Sequence, residues 1–288
     1  LGIHTIDLPA RGREPLRLLA TSRRRTGARD AAGELFWFRG AREPLLNPRL
    51  QRPRPTSVVT YDGARRVVTG VPTALRPKPL RVRFSRPGSF TFACNVHRAM
   101  TGTVRVVGRR AAVPSAAAVR AAAAAQVAAA LRTAKALVRA RATPRVVSVG
   151  KAGKGGVQRY VFSPAVLTIP RGRLIRFVMP RSSREVHTVT AGPGDPDVDA
   201  SSYLRKLAVS VRSPAPSPIA TFPSDPPTVG AVPLTPRVHG NGFWNSGVLD
   251  AISSTPMPRD GRVRFTTPGF FRLYCLIHPT MRVLVTVK

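Results

Sequence analysis

Two short stretches, CNVHRAM at 94–100 and CLIHPTM at 275–281, contain the only cysteines of this 288-residue chain. Each sets a His three positions and a Met six positions after its Cys. A loop that tight needs a strand to deliver it, and both copies have one. RVRFSRPGSFTFAC (81–94) aligns with RVRFTTPGFFRLYC (262–275) at a constant offset of 181. In each, a Pro-Gly turn separates two strand-like runs, and Phe271, Leu273 and Cys275 alternate as one face of a strand. Upstream, VTGV (68–71) answers NSGV (245–248), and IHTI (3–6) answers VHTV (186–189). Three blocks in the same order, drifting by a few residues, make an internal repeat whose length changes fall in loops. The chain is therefore constrained to two copies of one β unit.

Between the copies lies VPSAAAVRAAAAAQVAAALRTAKALVRARATP. Ala is the strongest helix former, Ser115 is placed to cap the N-terminus and Pro144 to stop the run. The pattern predicts a helix over 116–141, roughly 39 Å long at 1.5 Å per residue. It reads as a semi-rigid spacer, with a membrane-lying basic helix as the alternative. Elsewhere YVFSPAVLTI and LIRFVM read as strands, and 191–238 as a long Pro- and Ser-rich loop with one short helix at SSYLRKLA. The division is 1–107, an N-terminally incomplete first domain; 108–144, an Ala/Arg-rich helical linker; and 145–288, the second domain. The first domain reads as incomplete because 42 residues of the second domain (145–186) precede the His of VHTV, whereas three precede the His of IHTI. The sequence is accordingly expected to start inside that domain.

A thiolate, two imidazoles and a thioether are the ligand set of a blue-copper electron-transfer site. Two imidazoles and one thiolate in a trigonal plane suit both Cu(I) and Cu(II), and a distant Met tunes the potential. The Cys loop provides three of these donors. The remaining His must come from a distant strand, and the HTI and HTV segments place one 90 residues before Cys94 and 88 before Cys275. A disulfide between the two cysteines is the lesser reading, since each sits in its own copy of the motif.

With these residues in view, both halves resemble the plastocyanin/azurin family of cupredoxins, and the C-x-x-H-x-x-M loop is similar to that of its amicyanin-like members. PGFFRLYCLIHPTM, EVHTVTAG and HGNGFWNSGVLD carry the resemblance in the second half; the first half carries it more thinly. It implies an all-β architecture, two Greek-key β-sandwich domains joined by the Ala-rich α-helical linker. It implies up to two coppers per chain, held by His187, Cys275, His278 and Met281 and by His4, Cys94, His97 and Met100. It further implies one-electron transfer outside the cytoplasm (secreted, periplasmic or at the cell surface), with His97 and His278 as electron ports at the solvent edge. Arg98 stands where the second copy has Pro279, and the glycine that follows Met100 has no counterpart after Met281.

Net charge is +34, carried by 41 Arg and only 6 Lys. No zinc-finger spacing, RNP pattern or basic zipper accompanies it, so specific nucleic-acid binding is not expected. Acidic redox proteins or anionic surfaces are the expected partners, with membrane association possible through a missing N-terminal segment or the basic linker. An oxidase that stacks such domains needs several further histidines; only His239 is left, and it reads as a loop residue. An electron carrier without substrate turnover is thus the leading expectation. Copper storage or delivery, or a metal-free structural module, are the alternatives. Met179, Met257, Trp37 and Trp244 read as packing or loop anchors.

Overall fold

The computed structural model describes residues 4–51, 57–72, 79–97, 100–139, 146–252 and 257–288. They form two compact units, Leu1–Ala20 with Leu46–Val127 and Thr21–Leu45 with Ala128–Lys288. Both are built of β-sheet. Pro144 and Arg98 lie outside the described residues.

In the second unit two five-stranded sheets enclose one core. One runs in the order Gln158–Ser163, Val146–Ala152, Arg173–Val178, Asp260–Phe265, Val232–Leu234. The other runs Val166–Ile169, Arg282–Val287, Gly269–Tyr274, Thr190–Ala191, Trp244–Asn245. The chain changes sheet between 158–163, 166–169 and 173–178, as a crossed sandwich requires. Inward positions alternate along the strands: Val263 and Phe265, Ile175 and Phe177, Val283 and Val285 are all buried. Met179 and Trp244 lie in this core too.

Strand Gly269–Tyr274 departs from simple alternation. Leu273 faces the core as its spacing predicts, yet Tyr274 on the opposite face is also buried. A second apolar cluster covers it, made of Phe36, Phe38, Leu204, Leu207, Ala208, Ala220, Phe243 and Leu276. The stretch expected to be a long loop therefore folds as a packed insert. Helix α1 (Ala116–Arg139) precedes the unit's sheets, and the insert holds α2 (Tyr203–Ser210) and α3 (Pro218–Thr221). Ser202 caps α2 by accepting from the Arg205 amide at 3.1 Å. Leu204, Leu207 and Ala208 turn one face of α2 inward, and α2 forms where the short helix at SSYLRKLA is expected. The Phe36 and Phe38 rings, stacked 5.0 Å apart, complete the cluster from residues 21–45.

Helix α1 begins where the Ala run predicts, with the Ser115 hydroxyl accepting from the Ala118 amide at 3.2 Å. Its last turns pack within the second unit: Thr133 and Leu137 lie against Gly153, where an added Cβ would meet Thr133 Cγ2 at 2.4 Å. No helix among the described residues is long and apolar enough to cross a membrane.

The first unit is smaller. Asp7–Leu8 lies between Val67–Val68 and Gly88–Ala93, which pairs in turn with Thr101–Val106. Val59–Tyr61 runs parallel to Val82–Phe84. Leu8, Tyr61, Val67 and Phe90 form its core. Buried Asp7 is offset by Arg66 at 2.6 Å and by the Asn95 amide at 2.8 Å.

Candidate metal centres

The three repeat blocks meet in the same way in both units. The Thr5 amide donates to Cys94 Sγ at 3.4 Å, and the Thr188 amide donates to Cys275 Sγ at 3.4 Å. Thr5 Oγ1 accepts from the Asn95 amide at 2.7 Å, and Thr188 Oγ1 from the Leu276 amide at 2.8 Å. The third block closes the arrangement: Thr69 Oγ1 accepts from the Ile6 amide at 3.0 Å, Ser246 Oγ from the Val189 amide at 2.9 Å. Each hydroxyl is followed by a glycine in the left-handed region, Gly70 at φ 68° and Gly247 at φ 69°. Each His-Thr pair is thereby pinned beside the Cys that follows strand Gly88–Ala93 or Gly269–Tyr274.

The loops close identically as well. The Cys275 amide donates to the Met281 carbonyl at 3.0 Å, and the Met281 amide to the His278 carbonyl at 2.8 Å. In the first unit the matching distances, through Cys94, Met100 and His97, are 2.9 and 3.0 Å.

These bonds bring the imidazoles to the thiol. In the second unit Cys275 Sγ lies 3.7 Å from both His187 Nδ1 and His278 Nδ1, and the two nitrogens are 3.1 Å apart. A metal in the plane of two imidazoles at about 2.0 Å and a thiolate at about 2.3 Å sets N···N near ~3.5 Å and N···S near ~3.7 Å. The triangle fits a trigonal ion, and its soft N₂S donor set is one that suits copper. Met281 is buried in the same loop. In the first unit His4, Cys94 and His97 offer donor atoms within 4.8 Å of one another, with Cys94 Sγ 3.5 Å from His97 Nδ1. The rings of His4 and His97 lie 4.5 Å apart. Among the described residues these are the two places where three or more His, Cys, Asp or Glu side chains converge.

The units differ in cover. His187, Cys275 and Met281 are buried and His278 half-buried, whereas His4 is exposed and Met100 is 51% exposed. Burial pushes the Cys275 thiol up despite the amides of Thr188, His278 and Ile277. Burial also acts on Cys94, but the hydrogen bond with His97 and the amides of Thr5, His97 and Val96 outweigh it and bring its thiol down to about 6. Burial, with His278 nearby, lowers His187 to about 3 and keeps its imidazole neutral, the state a metal ligand requires. Both cysteines are free thiols.

Four participants carry no signal in the Cys-His-Met spacing. Thr5 and Thr188 are visible only as the residue after His in both HTI and HTV. Tyr160 stacks on His278 with ring centroids 4.3 Å apart and planes 12° from parallel. Gly150 lies behind His187, where a Cβ would come within 3.0 Å of Nε2. His239, by contrast, is remote from the thiols in its bonding: its Nδ1 is 3.1 Å from Asp30 and its Nε2 3.5 Å from Asp225.

No family model matches the chain, and no curated protein matches it. Among solved structures it is similar to amicyanin from Paracoccus versutus, with 14% identity, 50% of this chain and 79% of that one covered, and a TM-score of 0.27. It is also similar to oxidized plastocyanin from Dryopteris crassirhizoma, with 16% identity, 50% and 99% covered, and a TM-score of 0.26.

Proposed function

We propose that the chain is a one-electron carrier holding up to two coppers. His187, Cys275, His278 and Met281 would hold one, and His4, Cys94, His97 and Met100 the other. The single observation that carries this reading is the triangle of Cys275 Sγ, His187 Nδ1 and His278 Nδ1. Copper bound there supplies a centre that alternates between Cu(II) and Cu(I). The protein's part is to keep the donors in place: the Thr188 amide holds the sulfur, and burial excludes water and keeps His187 neutral. A site so braced changes little when an electron arrives, and half-buried His278 is where one would enter.

Absence of substrate turnover is part of the proposal. The fifth histidine, His239, is occupied by Asp30 and Asp225. Acidic redox proteins or anionic surfaces suit a chain of net charge +34, and their docking would weaken with salt. An extracytoplasmic location follows the same analogy. Copper handling is a second reading for the first unit, favoured by the exposure of His4 and Met100.

Copper titration of the whole chain, with Cys94→Ser and Cys275→Ser alongside, tests this. Two equivalents with intense thiolate-to-copper absorption, each lost with one cysteine, are expected. No such band in any form would overturn the carrier, and colour that survives only Cys94→Ser would confine it to the second unit.

A further inference from the structure

The hairpin of Val146–Ala152 and Gln158–Ser163 is irregular at one place. Arg159 pairs with Lys151 and Phe162 with Val149, so three steps along one strand answer two along the other. The extra residue is a bulge at Tyr160–Val161, opposite Gly150 at φ 79°. Bulges re-aim side chains, and this one turns two neighbours toward the imidazoles. Tyr160 lies nearly parallel over His278 at 4.3 Å and edge-on to His187 at 5.9 Å. Gly150 lets the backbone lie against His187 Nε2, a buried nitrogen with no hydrogen-bond partner among the described residues. The Tyr160 hydroxyl is hydrogen-bonded to Glu185, two residues before His187. The ring is therefore held at one end by a strand bulge and at the other by a carboxylate, while 43% of the residue faces solvent.

We infer that Tyr160 is a positioning residue for His278, its ring fixing the imidazole plane so that Nδ1 stays aimed at Cys275 Sγ with or without metal. This rests on the copper reading above. His278 is carried on a short loop and is only half-buried, so core packing alone does not hold its plane. The stacked ring adds a face-on restraint to its rotation.

The test uses the full chain carrying Cys94→Ser, so that one centre reports, with Tyr160→Phe and Tyr160→Leu added. Release of copper to a chelator is timed in each. Phe keeps the stack and loses the hydroxyl, and it is expected to match Tyr. Leu is expected to release copper about two- to tenfold faster, the factor an aromatic pair is worth. Proton NMR of the metal-free chain supplies a second readout. The His278 ring protons should sit upfield under the Tyr or Phe ring and move to ordinary positions with Leu. Release and shifts in Leu that equal those of Tyr overturn the proposal, as does a Phe variant that behaves like Leu. A parent chain that never takes up copper sinks the copper reading instead, and with it the role in metal retention.

Discussion

Cys94 and Cys275 receive the same amide bond from the same threonine position, yet their acidity diverges. The difference lies in what surrounds the sulfur: His97 bonds to Cys94, while complete burial dominates at Cys275. In the metal-free chain at pH 7 Cys94 is therefore mostly thiolate and Cys275 thiol. Iodoacetamide is expected to label Cys94 at least severalfold faster, the lower nucleophilicity of a more acidic thiolate offsetting only part of the gain. Peptide mapping after brief labelling checks this; equal rates would remove the acidity difference. The six side chains that converge, His4, Cys94, His97, His187, Cys275 and His278, were legible in the sequence because Cys and His are scarce and their spacing is unlike that of an ordinary strand. Thr5 and Thr188 were not, because a threonine after a strand histidine looks like any β-branched strand residue. Nor was Tyr160, whose role depends on a one-residue bulge that alternation does not encode.

At the scale of elements, that hairpin makes a paired prediction. Gly150 and Gly172 both have positive φ, but Gly150 abuts His187 and Gly172 has open space around its missing Cβ. Alanine at either costs about 1–2 kcal/mol of backbone strain. Melting temperature should fall by several degrees in both, while copper affinity weakens only in Gly150→Ala. If both variants bind copper equally well, Gly150 does not shape the site. The insert is the element the sequence disguised. Its helices are short, its Pro and Ser content high, and its apolar residues find their partners in Phe36 and Phe38, far away in sequence.

His239 joins these pieces, at φ 49° and in contact with Phe36 at 5.0 Å. Burial opposes its charge, but the carboxylates of Asp225, 3.5 Å from Nε2, and of Asp30, 3.1 Å from Nδ1, outweigh burial and raise it. Burial acts against the Asp30 charge too, yet bonds from His239 and the Glu34 and Ala32 amides hold it low. A raised His stabilises fully below its free value near ~6.5 and loses that contribution as pH climbs through the folded value; a lowered Asp contributes above ~3.9 and fades as pH falls. The clasp is strongest from about pH 4 to 6.5. Thermal melts should show stability of the second unit declining on the alkaline side, and His239→Gln should flatten that slope. An unaltered slope would mean that the clasp does not contribute.

On the scale of the whole molecule, the repeat made two β units legible, since the offsets between blocks recur in matching hydrogen bonds. It did not show that the second unit is assembled from two stretches of chain. Residues 21–45 provide Phe36, Phe38 and the Trp37 Nε1 donation to the Pro223 carbonyl at 2.9 Å. A fragment starting at residue 145 would keep His187, Cys275, His278 and Met281 but expose the insert's apolar face. Losing two buried Phe side chains costs roughly 3–6 kcal/mol. Such a fragment is expected to melt about 6–24 °C lower, at ~2–4 °C per kcal/mol, and to recover part of the loss when a peptide of residues 21–45 is added. A fragment as stable as the full chain would contradict this.

The same arrangement sets a schedule for synthesis. Phe36 and Phe38 leave the ribosome roughly 200 residues before Phe243. At ~5–20 residues per second the interval is on the order of 10–40 s. For that time two aromatic side chains wait without the surface they are shaped to meet, apolar surface of the kind that makes a chain prone to aggregate while it is being made.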